Sequence, residues 1–299
     1  MKILLATDGS KYSEAAADFL TFLKLRPEDE ITVFHALSWI PFRYDRDFYF
    51  DALNEIKREI APRILDRSLE ILRTVKARLS TLILEGSPEQ CIVDAVKESE
   101  TDMIVMGARG IRGIESLFVG SVTRSVAVTS PKPVLVIKLP RDRRRPEKIR
   151  ILLAADGSDH SMATGNLLSS VPFGDDAEVM VLNVVPPVFV DIPQTFVPEI
   201  NERFLEVAEK ERSARMVESK KLLDGMREHL GKNFTQIQVL SEVGDPAKEI
   251  LKVSQRERAD IIAVGCRGLR GIKGMLGSVS RNILAHSECS VLIGKACKE

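Results

Sequence analysis

Residues 3–10 read ILLATDGS and residues 151–158 read ILLAADGS. In each stretch an apolar run ends at an Asp-Gly pair, Asp8-Gly9 and Asp156-Gly157. A continuous apolar run cut off this way reads as a strand buried on both faces that meets a turn. Ser10 then stands where a helix cap is needed, and Ala15, Phe19, Leu20 and Leu23 follow at helical spacing. Two such openings, 148 residues apart (151 against 3), call for a search for further matches. TDMIVMGARGIRG (101–113) is matched by ADIIAVGCRGLRG (259–271), and GSVTRSV (120–126) by GSVSRNI (277–283). The blocks keep their order, with offsets of 158 and 157. The chain is therefore a duplication. The second half carries ten more residues in its middle and one fewer in its last loop.

Working outward, residues 2–6 and Ile31–Leu37 predict the first two strands of the first half, followed by a long amphipathic helix over about 49–79. Leu82–Glu85 predicts a third strand. Ser87-Pro88 then opens a helix with Ser87 as cap and Pro88 at the first helical position, and Asp245-Pro246 does the same in the second half. Met103–Met106, a helix from about 121 and Val134–Leu139 complete the unit. Strands alternating with helices imply a parallel sheet covered on both faces. The fold class expected is α/β: two tandem domains, 1–139 and 149–299, each with a five-stranded, doubly wound parallel sheet, for which the order 3-2-1-4-5 is assumed. PRDRRRPEK (140–148) reads as a solvated linker, and that reading outweighs an anion site at Arg141, Arg143, Arg144 and Arg145.

In this strand order Asp8 and Gly107 end the two strands that flank the switch point, where open α/β sheets take ligands. The loop there is Gly107-x-x-Gly110, nine residues, then Gly120-Ser121. Glycine lets a backbone approach a ligand closely. Gly120-Ser121 opens a helix, whose free N–H groups and dipole favour a phosphate, with Ser121 and Thr123 as hydroxyl donors. Glycines also make plain turns, but position after a strand, the helix-opening Gly-Ser and the duplication favour a phosphate site. Neither the dinucleotide fingerprint nor the P-loop is present. Eight residues, not nine, separate Gly268 from Gly277, which predicts a displaced helix start in the second site, with Gly274 available for adjustment.

The spaced loop and the aspartates Asp8 and Asp156 give both halves a resemblance to the universal stress protein family, in a tandem form. The resemblance implies an adenine nucleotide alpha-hydrolase-like fold and an ATP or AMP ligand, with Mg2+ or Mn2+ as a companion of the phosphates rather than an ion held by protein ligands alone. By matching positions it implies that Asp8 faces the nucleoside, near the ribose or a metal. It sets Ala36 and Met106 beside adenine. Gly107, Gly110, Gly120, Ser121, Val122 and Thr123 would hold ribose and phosphates. The second-half counterparts are Asp156, Val184, Val264, Gly265, Gly268, Gly277, Ser278, Val279 and Ser280. Arg109 and Arg267 sit inside the loops, with Arg112, Arg270 and Lys273 just after, and two roles stay open for them: meeting phosphate charge or remaining solvated.

Composition narrows the function. Hydrophobic residues make up 44% and charged residues 29% of 299, with 43 acidic and 43 basic, so no global basic field invites nucleic acid. No stretch approaches the length of a membrane span, and MKILLATDGS is too short an apolar start for a signal peptide, so a cytoplasmic location is expected. Cys91, Cys266, Cys289 and Cys297 form no C-x-x-C pair and read as small apolar fillers, Cys91 on a helix face. His35 reads as a packed strand residue, His160 as a neighbour of the second site, and His229 and His286 as surface helix residues.

No catalytic set is evident, so the leading expectation is a nucleotide-binding regulatory protein of the stress response that acts through a protein partner. The alternatives are a slow ATPase or nucleotide-dependent transferase built on Asp8, and an interaction protein with a partly vestigial second site. Pro133–Ile137 and Ser290–Ile293 are short, apolar edge strands of the kind that pair. The resemblance implies pairing through this strand, here an intrachain pseudo-dimer, with a homodimer left open. The segments 39–50 and 186–198 read as loops over the core, with lids or partner surfaces as the other reading.

Overall fold

The computed structural model describes residues 1–38, 47–110, 119–139, 148–174, 176–188, 202–268 and 275–296, and for 47–54 and 202–205 the backbone alone. The linker, the segments 39–50 and 186–198, and Arg112, Arg270, Lys273, Gly274 and Cys297 fall wholly or largely outside these residues.

The first half runs β1 (Lys2–Ala6), α1 (Lys11–Leu20), β2 (Glu30–Leu37), α2 (Asp47–Leu72), β3 (Arg78–Glu85), α3 (Pro88–Glu98), β4 (Met103–Gly107), α4 (Ser121–Thr129) and β5 (Val134–Ile137). The second repeats it with β6 (Arg150–Ala154), α5 (Asp159–Ser170), β7 (Glu178–Val185), α6 (Glu202–Leu230), β8 (Gln236–Val243), α7 (Pro246–Arg256), β9 (Ile261–Gly265), α8 (Ser278–His286) and β10 (Ser290–Gly294). All ten strands form one sheet in the order β3-β2-β1-β4-β5-β10-β9-β6-β7-β8. Each half is parallel in the expected order 3-2-1-4-5, and the halves join through antiparallel β5 and β10, with Leu135 opposite Leu292.

Alternation along the buried strands feeds two cores, one per face of the sheet. Ile3, Leu5, Met103 and Val105 point to the face covered by α1 and α2, while Leu4, Ala6, Ile104 and Met106 point to the face of α3 and α4. Both cores continue across the seam into the second half. Among the described residues no helix is long and apolar enough to cross a membrane.

Four boundaries differ most from the sequence reading. The long helix ends at Leu72 instead of about 79, and β3 begins at Arg78 instead of Leu82. The third strand is an outer edge, half solvated, so Arg78, Ser80 and Thr81 take part in its ladder with β2 without an apolar run to announce them. Helix α1 stops at Leu20, and Leu23 is buried beyond its end. Strand β5 stops at Ile137 because Lys138 turns toward the other half.

Candidate functional site

The site is built from two turns at the ends of β1 and β4. Asp8 Oδ1 accepts a hydrogen bond from the Ser10 amide at 3.0 Å, and Gly9 between them has φ +77. Asp156, Gly157 (φ +79) and Ser158 repeat the turn at 3.0 Å. A left-handed φ at these two positions is what calls for glycine. Ser10 caps α1 as expected, accepting from the Ser13 amide at 3.3 Å, and its hydroxyl lies 3.4 Å from the Arg109 carbonyl. Ser158 makes the same pair of contacts with Ser161 (3.2 Å) and Arg267 (3.4 Å). The aspartate turn and the start of the glycine loop, about a hundred residues apart in sequence, are thus tied together at one end of the sheet.

Two loop glycines have steric reasons. A Cβ on Gly107 would stand 2.6 Å from the Tyr12 carbonyl carbon, so this glycine lets β4 end against α1. A Cβ on Gly110 would collide with Asp8 Oδ2, and one on Gly268 would sit 2.6 Å from Asp156 Oδ2. The loop therefore lies on the carboxylate in both halves.

Helix α4 starts at the N-cap Gly120, which offers no side chain to bond the first turn. The Gly120 amide donates to Ala108 O at 2.8 Å, and the first intrahelical bond runs from Arg124 N to Gly120 O at 2.9 Å. The amides of Ser121, Val122 and Thr123 precede that bond and face the loop end of the helix, where the dipole is positive. In the second half, Gly277 N to Cys266 O measures 2.8 Å and Arg281 N to Gly277 O 3.0 Å. The N-cap angles agree as well, φ −62 and ψ 159 against φ −60 and ψ 159. The shorter second loop therefore leaves the helix start in place, contrary to the displacement expected from sequence.

The hydroxyls divide. Thr123 is buried and its Oγ1 donates to Gly107 O at 2.9 Å, and Ser280 Oγ lies 3.0 Å from Cys266 O. Both tie helix to strand end, so they do not offer the phosphate donors that the sequence suggested. Ser121 and Ser278 are exposed at the mouth. Met106 and Val264 are buried, whereas Ala36, Val184, Val122 and Val279 are half-buried against the same core.

Arg109 is held against Tyr12 rather than fully solvated. Its Nη1 donates to Tyr12 Oη at 2.9 Å, and its guanidinium lies 5.4 Å from the Tyr12 ring centroid. Lys11 reaches the same ring at 5.5 Å. In the second half His160 stands in the place of Tyr12. Its Nδ1 accepts from the Ala296 amide at 2.9 Å and lies 3.3 Å from Cys266 Sγ. Sequence reasoning missed this pair, although Cys266 follows Gly265 just as Ala108 follows Gly107. His35 is the packed strand residue expected, with Nδ1 2.8 Å from Thr7 O, a place taken by Asn183 on Ala155 O at 2.6 Å in the second half. His229 is half-buried in α6, not a surface residue, and His286 is exposed. Cys91 is buried on α3 as expected.

Fold and site together define a tandem, doubly wound α/β protein in which an aspartate turn and a glycine loop meet at the switch point of each half. The profile of the Universal stress protein family matches residues 1–138 and 149–295. The chain belongs to that family. It is similar to a universal stress protein of Thermus aquaticus, 32% identical over 136 residues, covering 46% of this chain and 97% of that one. A universal stress protein of Mycolicibacterium smegmatis is 23% identical over 297 residues, covering 97% of this chain and 96% of the other, so the tandem arrangement extends end to end. The crystal structure of a universal stress protein from Archaeoglobus fulgidus shares the fold, with a TM-score of 0.63 and 23% identity over 99% of this chain and 96% of that one.

Proposed function

We propose that the chain is an adenine-nucleotide-binding regulatory protein of the stress response, with one site per half. The observation that carries this reading is the pair of uncapped helix starts at Gly120 and Gly277, each held by the same amide-to-loop bond beside a first-strand aspartate. Three amides at a helix start suit a phosphate, and each charge–dipole contact contributes roughly 0.3–1 kcal/mol when exposed, up to about 2 when partly buried. Ser121 and Ser278 stand at the mouth to add a hydroxyl donor. Arg109, braced on Tyr12, supplies positive charge at the loop.

Asp8 and Asp156 would take the ribose hydroxyls or a divalent ion. Among the described residues no three His, Cys, Asp or Glu side chains are grouped. A Mg2+ or Mn2+ ion would therefore come with the phosphates, with one aspartate as its protein contact, and would neutralise phosphate charge. The protein acts by binding: occupancy changes the loop surface that a protein partner reads.

Equilibrium dialysis of the full chain against labelled ATP and AMP, with and without Mg2+, tests this. The reading expects saturable binding approaching two nucleotides per chain. No saturable binding of either nucleotide would overturn it.

A further inference from the structure

Two lysines cross between the halves. Lys138, the residue after β5, donates from Nζ to Leu284 O at 3.0 Å, Ser287 O at 2.6 Å and Ser287 Oγ at 3.1 Å. These groups belong to the last turn and the C-cap of α8. Lys295, the residue after β10, donates to Ala127 O at 2.9 Å and Val128 O at 3.2 Å in the last turn of α4. The antiparallel seam causes this exchange, because each strand ends over the helix of the opposite half.

The last carbonyls of a helix lack intrahelical donors and carry its negative dipole end, so a cation there both satisfies them and holds the helix. Both lysines are half-buried. Burial pulls Lys138 down to about 8, with the charge of Arg109 pulling the same way and Cys289 opposing. The Cys289 thiol, pushed up to about 12 by burial, is neutral at pH 7 and supplies no counter-charge there. Lys295 is likewise lowered by burial, with Cys266 opposing and Arg267 adding to the pull. Ala108 N donates to Ile137 O at 2.8 Å and Cys266 N to Gly294 O at 2.8 Å, so each lysine directly follows a residue bonded to the loop of its own half while gripping the phosphate helix of the other.

We propose that Lys138 and Lys295 are positioning residues that couple the two crevices, Lys295 holding α4 for the first site and Lys138 holding α8 for the second. This rests on the nucleotide reading above. A phosphate that orders the loop at Cys266 and Arg267 fixes the bond from Cys266 N to Gly294 O and with it the backbone that carries Lys295, which then holds α4 more firmly. The amides at the start of α4 are then better fixed for a second phosphate. The same route runs from Ala108 through Ile137 and Lys138 to α8. Coupling of this kind is reciprocal, so each site raises the affinity of the other.

The test uses the full chain with one phosphate site blocked at a time. Gly277→Asp places a carboxylate at the second helix start and leaves the first site as the sole one, and Gly120→Asp does the reverse. In the Gly277→Asp chain, Lys295→Met is expected to weaken ATP binding roughly two- to tenfold, Lys295→Arg to restore most of it, and Lys138→Met to have the smaller effect. The Gly120→Asp chain should invert the pattern. A second readout needs no lysine variant: ATP added to the Gly120→Asp chain should slow amide hydrogen exchange in α4, in the half that holds no nucleotide. ATP binding with no crossed pattern and no change in α4 exchange would overturn the coupling while leaving the nucleotide reading intact. No ATP binding by the unmodified chain would overturn both.

Discussion

Gly110 lies so close to the Asp8 carboxylate that a Cβ on it would collide with Oδ2, and Gly268 stands against Asp156 in the same way. The loop rests on the aspartate, and neither can move independently. Gly110→Ala must push the carboxylate aside or lift the loop, which displaces the group proposed to meet the nucleoside. ATP affinity of the first site is expected to fall at least about tenfold, a loss of about 1.4 kcal/mol, with little change in melting temperature. Calorimetric titration alongside thermal melting checks both halves of this statement.

Gly107 behaves differently, since its missing side chain is replaced by the Tyr12 backbone at 2.6 Å. Backbone of a helix cannot yield as a flexible side chain can. Gly107→Ala is expected to cost about 1–3 kcal/mol of stability through overpacking. Urea unfolding measures it, and an unchanged midpoint would mean that β4 and α1 are not in contact as described.

Leu135 and Leu292 face each other across the seam, each 1% exposed, in a core that runs through both halves. Leu292→Ala should cost about 2–5 kcal/mol. Because the cores are continuous, the loss should shift one cooperative transition, whereas independent halves would show one transition moved and one left in place. Differential scanning calorimetry separates the two outcomes.

The buried lysine sets a pH dependence. Lys138 is lowered from 10.5 to about 8, so between those values the unfolded chain binds a proton that the native chain has released, and stability rises with pH. Cys289 is raised from 9.0 to about 12, so above pH 9 the native chain keeps a proton that the unfolded chain loses, and stability falls. The lysine slope therefore stands largely alone from pH 8 to 9, where it is worth about 1 kcal/mol. Lys295, lowered as well, adds in the same direction. Denaturant unfolding at pH 8 and 9 should show the rise, Lys138→Met should reduce it, and the double variant with Lys295→Met should remove it.

Much of this was legible in the residues themselves. The repeated Asp-Gly after an apolar run gave the first strand of each half, and the strand–helix alternation gave the parallel sheet but not by itself the strand order, because buried parallel strands advertise themselves by uninterrupted hydrophobicity and not by their neighbours. Ser10 and Asp245 were readable as caps because capping uses adjacent residues, and both accept the expected amide, whereas Ser87 stands at its N-cap position without a side-chain bond to the helix. Strand β3 was cut short because an edge strand can carry polar residues in its ladder.

What stayed hidden is non-local. The partners of Lys138 lie 146 and 149 residues away, and no spacing rule reaches that far. Thr123 looked like a phosphate donor because sequence places it on the first turn but does not show which way its hydroxyl points, and it points at Gly107 O. The shortened second loop looked displaced because residue count says nothing of a bond such as Gly277 N to Cys266 O, which fixes the helix start. The offset of the repeat sets His160 opposite Tyr12, but the bond from Ala296 that completes its surroundings comes from the far end of the chain.

The central claim is that bare helix starts at residues 120 and 277 take nucleotide phosphate. Asp is a favourable N-cap, and the nearest atom to a Cβ at either glycine is 3.5 Å away, so the double variant Gly120→Asp/Gly277→Asp should fold at least as stably as the parent. Its carboxylates would occupy and repel from the very positions a phosphate needs. ATP titration of this variant against the parent is the direct measurement. Saturable binding by the parent and none by a well-folded variant is the expected result, and equal affinities in the two proteins would mean that phosphate is not held at these helix starts.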